Sequence, residues 1–158
     1  MDLDRYDRLL LNLLQRDSAP TAERLAERVA LSPSAIQRRV KRLKDEGYIL
    51  AEVALVDPKK VGRPTFFVVS LEIERERPEL LASLRAWLAA QGEIQQAYYV
   101  TGAADFVLVL TAPDAEGYDI FMNRLVAENP NVRRFTTNVA LGVVKRSLAI
   151  PIPEAPET

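Results

Sequence analysis

Apolar residues recur with helical spacing in the first third of the chain and alternate like strand residues afterwards. The spacing predicts a first helix from Asp4 to about Gln15. A break at residues 17–20 precedes a second helix, for which the Thr21 hydroxyl is a suitable N-cap. A third helix is predicted from Ser32 to Lys44. The first 50 residues therefore read as three short amphipathic helices.

The third helix has two chemically different sides. Ser32 suits the N-cap, and Pro33 suits the first helical position, where no N–H is needed. Ile36, Val40 and Leu43 form one apolar stripe. The other side is cationic, because residues 33–44 contain five Lys or Arg and no acid. A helix that is buried along one side and cationic along the other is suited to lie on a polyanion.

The second and third helices are separated only by residues 30–32, which is the arrangement of a helix-turn-helix. In that motif the second helix enters the major groove of DNA. Gly47 is the predicted C-terminal cap, and the alternation from Tyr48 to Val56 predicts a strand of a small wing. The alternative is an ordinary solvated face. Such faces normally mix charges of both signs, whereas this one is cationic for about three turns.

The candidate DNA contacts share the polar side of this helix. They are Ser32, Ser34, Gln37, Arg38, Arg39, Lys41 and Arg42. Of these, Arg38, Lys41 and Arg42 are predicted to contact phosphates or guanine edges, and Ser34 and Gln37 to read base edges. The remaining arginine, nearer the apolar stripe, is predicted to contact the phosphate backbone.

Beyond a hinge at residues 62–64 the pattern changes to alternating strands and helices. The predicted order is strand, helix, strand, strand, helix, strand, over residues 65–74, 78–91, 94–100, 105–111, 114–128 and 132–141. A further strand is predicted over residues 143–150, and a frayed tail from Pro151. The order βαββαβ with short hairpin loops is typical of a ferredoxin-like fold. We therefore predict an α+β protein with a winged helix-turn-helix over 1–62, a ferredoxin-like sandwich over 63–150 and a tail over 151–158.

The faces of these elements can be assigned from their periodicity. The inward residues of the two helices are predicted to be Leu80, Leu81, Leu84, Trp87, Leu88, Tyr118, Phe121, Met122, Leu125 and Val126. The sheet residues facing them are predicted to be Phe67, Val69, Leu71, Ile73, Phe106, Leu108 and Leu110. The reverse face is also apolar, at Phe66, Val68, Val107 and Val109. We interpret it as a sheet-to-sheet homodimer surface. Cover by the wing or the last strand of the same chain is the alternative.

Composition limits the chemistry that the chain can perform. It has 158 residues, 48% of them hydrophobic, and a net charge of −1, so the basic helix is a local patch that favours a directed footprint. No apolar run reaches about 18 residues, and we expect a cytoplasmic protein without a membrane span. The chain contains no Cys and no His. Disulfides and zinc fingers are excluded, as is the commonest general base, so we expect no catalytic, metal or cofactor site.

Several motifs together resemble the Lrp/AsnC family of bacterial and archaeal transcription regulators. They are residues 3–10 (LDRYDRLL), 31–34 (LSPS), 39–43 (RVKRL), 46–49 (EGYI) and 99–106 (YVTGAADF), with the last strands around 132–144. The resemblance covers about residues 2–150. It implies an N-terminal winged helix-turn-helix, a ferredoxin-like effector-sensing domain, and homodimers that assemble further into tetramers or octamers.

The resemblance also implies a small effector, usually an amino acid, bound near the glycine loop between C-terminal domains. The backbone N–H groups of Gly102, Ala103 and Ala104 are expected to receive an α-carboxylate, and Asp105 to pair with an α-ammonium. The predicted hydroxyl contacts are Thr101, with Thr136 or Thr137. The family often has a polar residue and then an aromatic where this chain has two alanines. The alternative to an effector site is that Gly102 is an ordinary turn residue and that Asp105 is a carboxylate at the start of a strand, bonded to that turn.

In the mechanism that follows, a two-fold dimer presents two basic helices to successive major grooves, about 34 Å apart. The effector changes the relative placement of these helices, which requires different affinities for two assemblies. Two alternatives stay open at this point. One is an enzyme of the same fold like the sirohaem decarboxylases, against which the missing histidine argues. The other is a sensing partner that no longer binds DNA.

Overall fold

The computed structural model describes residues 3–17, 20–63 and 65–153, and these form two compact units. One unit comprises Met1–Leu55 with Lys145–Thr158, and the other Val56–Val144. Ser18, Ala19 and Pro64, which belong to the predicted break and hinge, lie outside the described residues, as does the end of the predicted tail.

The first unit contains three helices packed around one small core. They are α1 (Arg5–Leu14), α2 (Ala22–Val29) and α3 (Pro33–Asp45). The core is formed by buried Leu10, Leu25, Val29 and Ile36. Val40 packs against these residues from α3. The apolar stripe predicted for the basic helix therefore faces the core, and its polar residues are left for solvent.

Local capping explains where these helices begin and end. Thr21 and Ser32 cap α2 and α3 as predicted, accepting from the backbone N–H groups three residues on. Gly47 has φ +77 and follows the last helical residues. Its N–H donates to the Lys44 carbonyl at 3.0 Å, and the N–H of Tyr48 donates to Leu43 at 2.9 Å. These two bonds form a Schellman motif, which confirms Gly47 as the cap.

The predicted wing strand over residues 48–56 is wrong for this structure, because none of those residues belongs to a strand. Leu50 and Leu55 are 93% and 72% exposed. A lone strand has no stability of its own, and the described residues of this unit include no strand that could pair with it. A short 3₁₀ turn, Pro58–Val61, follows in the second unit.

The second unit is a four-stranded antiparallel sheet with two helices. Its elements are β1 (Thr65–Ile73), α4 (Pro78–Ala89), β2 (Ile94–Tyr99), β3 (Phe106–Ala112), α5 (Ala115–Glu128) and β4 (Val132–Val139). The strand order is β2-β3-β1-β4. The predicted βαββαβ ferredoxin-like arrangement is confirmed.

The core of this unit lies between the sheet and its helices, as the alternation predicted. It contains Phe67, Val69, Leu71, Ile73, Leu84, Leu88, Phe106, Leu108, Leu110, Phe121, Met122 and Leu125. Leu81, Trp87 and Tyr118 pack against it while only partly buried. Two predicted core residues are wrong: Leu80 and Val126 are 37% and 40% exposed. Both lie at the margin of their helix's apolar face.

The chain after β4 departs from the prediction. Residues 143–150 form no strand, and residues 150–153 are not frayed but hydrogen-bond to the side chains of α1. The N–H and carbonyl groups of Ile150 and Ile152 bond to side chains of α1 and of its C-cap Gln15 instead of to a strand. Among the described helices, none is long and apolar enough to cross a membrane.

Candidate nucleic-acid interface and effector loop

Helix α3 presents a continuous polar surface opposite its buried stripe. Ile36 and Leu43 are 1% and 0% exposed, which fixes the rotation of the helix. Ser34, Gln37 and Arg38 are consequently exposed over its first two turns. The first turns of a recognition helix are the part that reaches base edges in the major groove. The structure therefore leaves these three predicted contact residues open to solvent.

Two of the candidate arginines are engaged within the unit by a buried carboxylate. Asp7 of α1 is 1% exposed. Its Oδ1 lies 2.8 Å from Arg39 Nη1, and its Oδ2 lies 2.6 Å from Arg42 Nη2. Arg39 Nη1 also lies 2.6 Å from Asp4 Oδ2, and its guanidinium lies 5.5 Å from the centre of the Tyr6 ring. These arginines thus tie α3 to α1.

The carboxylates that hold Arg39 also affect ionisation. Partial burial alone raises the pKa of Asp4, but the hydrogen bond from the Asp7 backbone N–H and the Arg39 guanidinium outweigh it, so the pKa lies below its ordinary value. For Arg39, burial alone lowers the pKa, and the two carboxylates raise it above its ordinary value. Arg39 is therefore charged at neutral pH.

The other cations of α3 are more available. Lys41 pairs with Asp45 at 2.6 Å, but the two side chains are 76% and 61% exposed, and such pairs are weak and readily exchanged. In the part of the chain that the structure describes, Arg38 has no ion pair. Ser32 Oγ caps the helix through the Ala35 N–H at 3.3 Å and lies 3.2 Å from Ser34 Oγ. The structure therefore places Arg38 and Lys41 on the open side and gives Ser32 a capping role.

The predicted effector loop joins β2 to β3 and is closed at its base. The Val100 N–H donates to the Asp105 carbonyl at 2.9 Å, and residues 101–103 are exposed. Gly102 has φ +121, a conformation that L side chains rarely adopt, and a Cβ built there meets nothing within 4 Å. Glycine is required at this position for backbone conformation rather than for space.

Asp105 is bound to the backbone of the neighbouring strand. Its Oδ2 accepts the Ile73 N–H at 2.7 Å, and its own N–H donates to the Leu71 carbonyl at 2.9 Å. The carboxylate therefore fixes the loop to β1, and one of its oxygens is already used.

Thr136 and Thr137 point to opposite faces of β4. Thr137 pairs with Val69 on the helix side, where its hydroxyl hydrogen-bonds Tyr118, while Thr136 pairs with Ser70 on the reverse side. Tyr118 also stacks on Phe67, with ring centres 4.2 Å apart. Two strand spacings separate β4 from β3, about 10 Å. The structure does not bring either threonine to the loop within one protomer.

The sequence patterns did not identify two further groups near these sites. The role of Asp7 was missed because no pattern in the neighbouring sequence shows that it contacts arginines 32 and 35 positions away. The available signal was an acidic residue on the buried side of a helix, since such a residue needs a partner. Arg85 lies 4.6 Å from the centre of the Tyr99 ring, which packs against Phe106 at 5.1 Å. This cation and aromatic lie beside the effector loop. No cluster of metal-ligating side chains occurs among the described residues.

Comparison with known proteins agrees with the two units. Residues 67–150 match the sequence profile of the Lrp/AsnC ligand binding domain, and residues 3–49 match that of a winged helix-turn-helix DNA-binding domain. The HTH-type transcriptional regulator y4tD of Sinorhizobium fredii is 44% identical over 152 residues, which are 96% of this chain and 90% of that protein.

Solved structures give the same result. An AsnC family transcriptional regulator from Agrobacterium tumefaciens is similar with a TM-score of 0.89 at 30% identity, covering 94% of this chain and 97% of that one. The transcriptional regulator NMB0573 of Neisseria meningitidis, in complex with L-Met, has a TM-score of 0.88 at 27% identity, covering 95% and 97%.

Proposed function

The chain belongs to the Lrp/AsnC family of DNA-binding transcriptional regulators, and on that premise we propose that its helix α3 reads the major groove while the loop 101–105 receives an amino acid. It is a regulator and not an enzyme. Residues 1–62 carry DNA binding, residues 63–150 carry effector sensing and assembly, and the protein acts in the cytoplasm.

The orientation of α3 is the observation that carries the DNA-binding proposal. Its buried stripe leaves Ser34, Gln37, Arg38 and Lys41 on one open side. Arg38 and Lys41 contact phosphates or guanine edges, and Ser34 and Gln37 read base edges. Arg39 and Arg42 position α3, because Asp7 of α1 binds both of them and thereby sets the angle between α1 and α3.

The amino-acid proposal rests on the shape and chemistry of the loop. The exposed backbone at Gly102 and Ala103 offers N–H donors to a carboxylate, and the free carboxylate oxygen of Asp105 offers an acceptor to an ammonium. The L-Met complex of the Neisseria meningitidis protein supports an effector of this class. Ala103 and Ala104 are smaller than the polar and aromatic residues that the family often has at these positions. They therefore leave room for a larger effector side chain.

We also propose a homodimer through the reverse face of the sheet, with further association into tetramers or octamers. Val68, Val107 and Val109 are half-buried on that face, and Tyr98 is 52% exposed. Phe66 is already buried within the chain, at 8% exposed. In the dimer, two copies of α3 enter successive major grooves about 34 Å apart.

Fluorescence anisotropy on the DNA upstream of the chain's own gene tests the proposal. The duplex is compared with a scrambled duplex over a salt series, without and with a mixture of the twenty amino acids. We expect preference for the native duplex, affinity that falls steeply with salt, and a change in affinity with the mixture. Equal binding of both duplexes here and in a selection from genomic fragments contradicts sequence-specific DNA binding. Binding that is indifferent to the mixture contradicts the effector site alone.

A further inference from the structure

The segment Ile150–Pro153 lies against side chains of α1 and of its C-cap residue, Gln15. Its sequence, Ile-Pro-Ile-Pro, carries only two backbone N–H groups, because proline has none. Both are used. The N–H of Ile150 donates to Gln15 Oε1 at 2.7 Å, and the N–H of Ile152 donates to Asn12 Oδ1 at 3.3 Å.

The same two amide side chains return the bonds. Gln15 Nε2 donates to the Ile150 carbonyl at 3.0 Å, and Asn12 Nδ2 donates to the Ile152 carbonyl at 2.8 Å. Arg8 Nη1 adds a bond to the Pro153 carbonyl at 3.4 Å. Each amide thus pairs with both backbone groups of one isoleucine, as a neighbouring strand would. We call the row of side chains Arg8, Asn12 and Gln15 the amide stripe, after the two amides that make four of its five bonds.

This pairing is specific in register. A shift of the segment by one residue would place a proline nitrogen against an amide oxygen that requires a donor. The prolines also hold the segment extended before it docks, so less conformational entropy is lost on docking. Ile152 is half-buried, and Ile150 is 66% exposed. The contact is therefore made mainly by the main chain, in a register that the sequence fixes.

The chain connects this contact to both units. β4, which carries Thr136 and Thr137, ends at Val139, and residues 140–149 lead from it to the amide stripe. The chain thus enters the sensing unit after residue 55 and leaves it again at residue 145, which makes two covalent connections. Helix α1 in turn holds Arg39 and Arg42 of α3 through Asp7.

We propose that residues 140–153 are a strap, by which the sensing unit acts on the DNA-binding unit through α1. Docking of Ile150–Pro153 on the amide stripe holds α1, and α1 holds α3 in the position that DNA requires. The occupant of the stripe is the segment of the same chain. The proposal rests on the proposed DNA binding, but the docking itself is measured without DNA.

The test uses the full-length Asn12→Ala/Gln15→Ala variant, which loses all four amide bonds while alanine preserves the helix. The control is Asn123→Ala, an exposed amide on α5 whose bond is to Asp119 of the same helix. Hydrogen exchange at the Ile150 and Ile152 amides is measured first. We expect at least tenfold slower exchange in the wild type than in the double variant, and no change in the control. Equally fast exchange in the wild type overturns the docking.

DNA affinity is then measured on one duplex at several salt concentrations. We expect the double variant to bind at least threefold more weakly with an unchanged salt slope, because Arg38 and Lys41 are untouched. Loss of protection at Ile150 with unchanged DNA affinity overturns the strap and leaves only a stabilising contact. A wild-type protein that does not bind DNA, yet protects these amides, refutes the proposed function and not the docking.

A crosslink identifies the chain that supplies the segment. Because the protein has no cysteine, the pair Arg8→Cys and Pro153→Cys can be joined by a short bismaleimide without side reactions at other thiols. We expect a crosslinked monomer on a denaturing gel. Covalent dimers would mean that the segment comes from a second copy, and would overturn the strap within one chain.

Discussion

The carboxylate of Asp7 lies 2.6 Å from Nη2 of Arg42, across the contact between the first helix and the helix proposed to read DNA. Its other oxygen binds Arg39, so one buried acid holds two cations of the surface that we propose to contact nucleic acid. A buried carboxylate without partners would be costly, and the arginines meet that requirement. The basic helix thus has two kinds of cation: Arg39 and Arg42, which are paired with Asp7, and Arg38 and Lys41, which are exposed.

Asp7→Asn should destabilise the first unit strongly. The substitution keeps the shape of the side chain but leaves two partly buried arginines without their counterion, at a cost of about 3 kcal/mol. Denaturant unfolding followed by circular dichroism measures it. The matched control is Asp45→Asn, which also removes one negative charge but from an exposed pair, and should cost less than about 0.5 kcal/mol. Equal losses for the two variants would contradict a structural role for Asp7.

Arg38→Ala should change mainly DNA affinity, whereas Arg42→Ala should change mainly stability. Arg38 is exposed, so its loss should leave stability nearly unchanged, weaken DNA binding and reduce the slope of log affinity against log salt by about one. Arg42→Ala should instead lower the free energy of unfolding by about 2 kcal/mol, because it removes a partner of a buried acid. Anisotropy titrations and denaturant unfolding separate the two. An unchanged salt slope for Arg38→Ala removes that residue from the phosphate contacts.

Gly102→Ala should disturb the effector loop through its backbone. At φ +121 an alanine is strained, and we expect a loss of about 1–3 kcal/mol in the stability of the second unit. Gly92→Ala is the control, since a Cβ there also meets nothing within 4 Å and no such φ is required. Any response of DNA affinity to the amino-acid mixture should weaken in Gly102→Ala alone. Equal stability of the two variants would show that the loop relaxes at no cost.

The proposed dimer face is tested by charge. Val107→Glu/Val109→Glu places two carboxylates in the middle of the reverse sheet face, where burial against a second copy would be prohibitive. Sedimentation velocity should show the variant as a monomer at concentrations where the wild type is a dimer or larger. Val126→Glu on α5, at a position 40% exposed, should leave the assembly unchanged. Dimers that persist in the double variant would place the interface elsewhere.

The features that could be predicted from the sequence are those set by near neighbours. Ser32 and Thr21 cap helices because their hydroxyls reach an N–H three residues away, and Gly47 ends α3 because its φ is positive. The alternation of Phe67 and Val69 with their neighbours fixed which face of β1 meets the helices. Such short-range rules act wherever the residues occur.

The features that were missed depend on contacts between distant parts of the chain. The role of Asp7 depends on arginines more than thirty residues away, and the docking of Ile152 depends on Asn12, 140 residues away. The predicted strand over 143–150 failed for the same reason, because alternation does not reveal whether a partner strand is available. For Thr136 and Thr137, the register of β4 against β1 decides which one faces the helices.

The hydrogen bond between Tyr118 and Thr137 predicts how stability changes at alkaline pH. Burial raises the pKa of the Tyr118 hydroxyl above its ordinary value of 10.0; the Thr137 hydroxyl opposes this, and the charge of Asp119 adds to it. The folded protein holds this proton more tightly than the unfolded chain does. The resulting contribution of Tyr118 to the free energy of unfolding is therefore fully present below pH 10.0, and it is lost as the pH rises towards the pKa of the folded protein.

Tyr118→Phe and Thr137→Val should therefore change the alkaline response in opposite directions. Tyr118→Phe should cost about 1 kcal/mol at neutral pH, and this deficit against the wild type should shrink above pH 10.0, because the variant has no hydroxyl to ionise. Thr137→Val removes the bond that lowers the pKa of Tyr118, so its deficit should grow with pH. Urea unfolding at neutral and alkaline pH measures both, and groups common to all three proteins cancel in the differences. If the losses of stability of the two variants changed with pH in the same direction, the Tyr118 hydroxyl would not determine how stability depends on pH in the alkaline range.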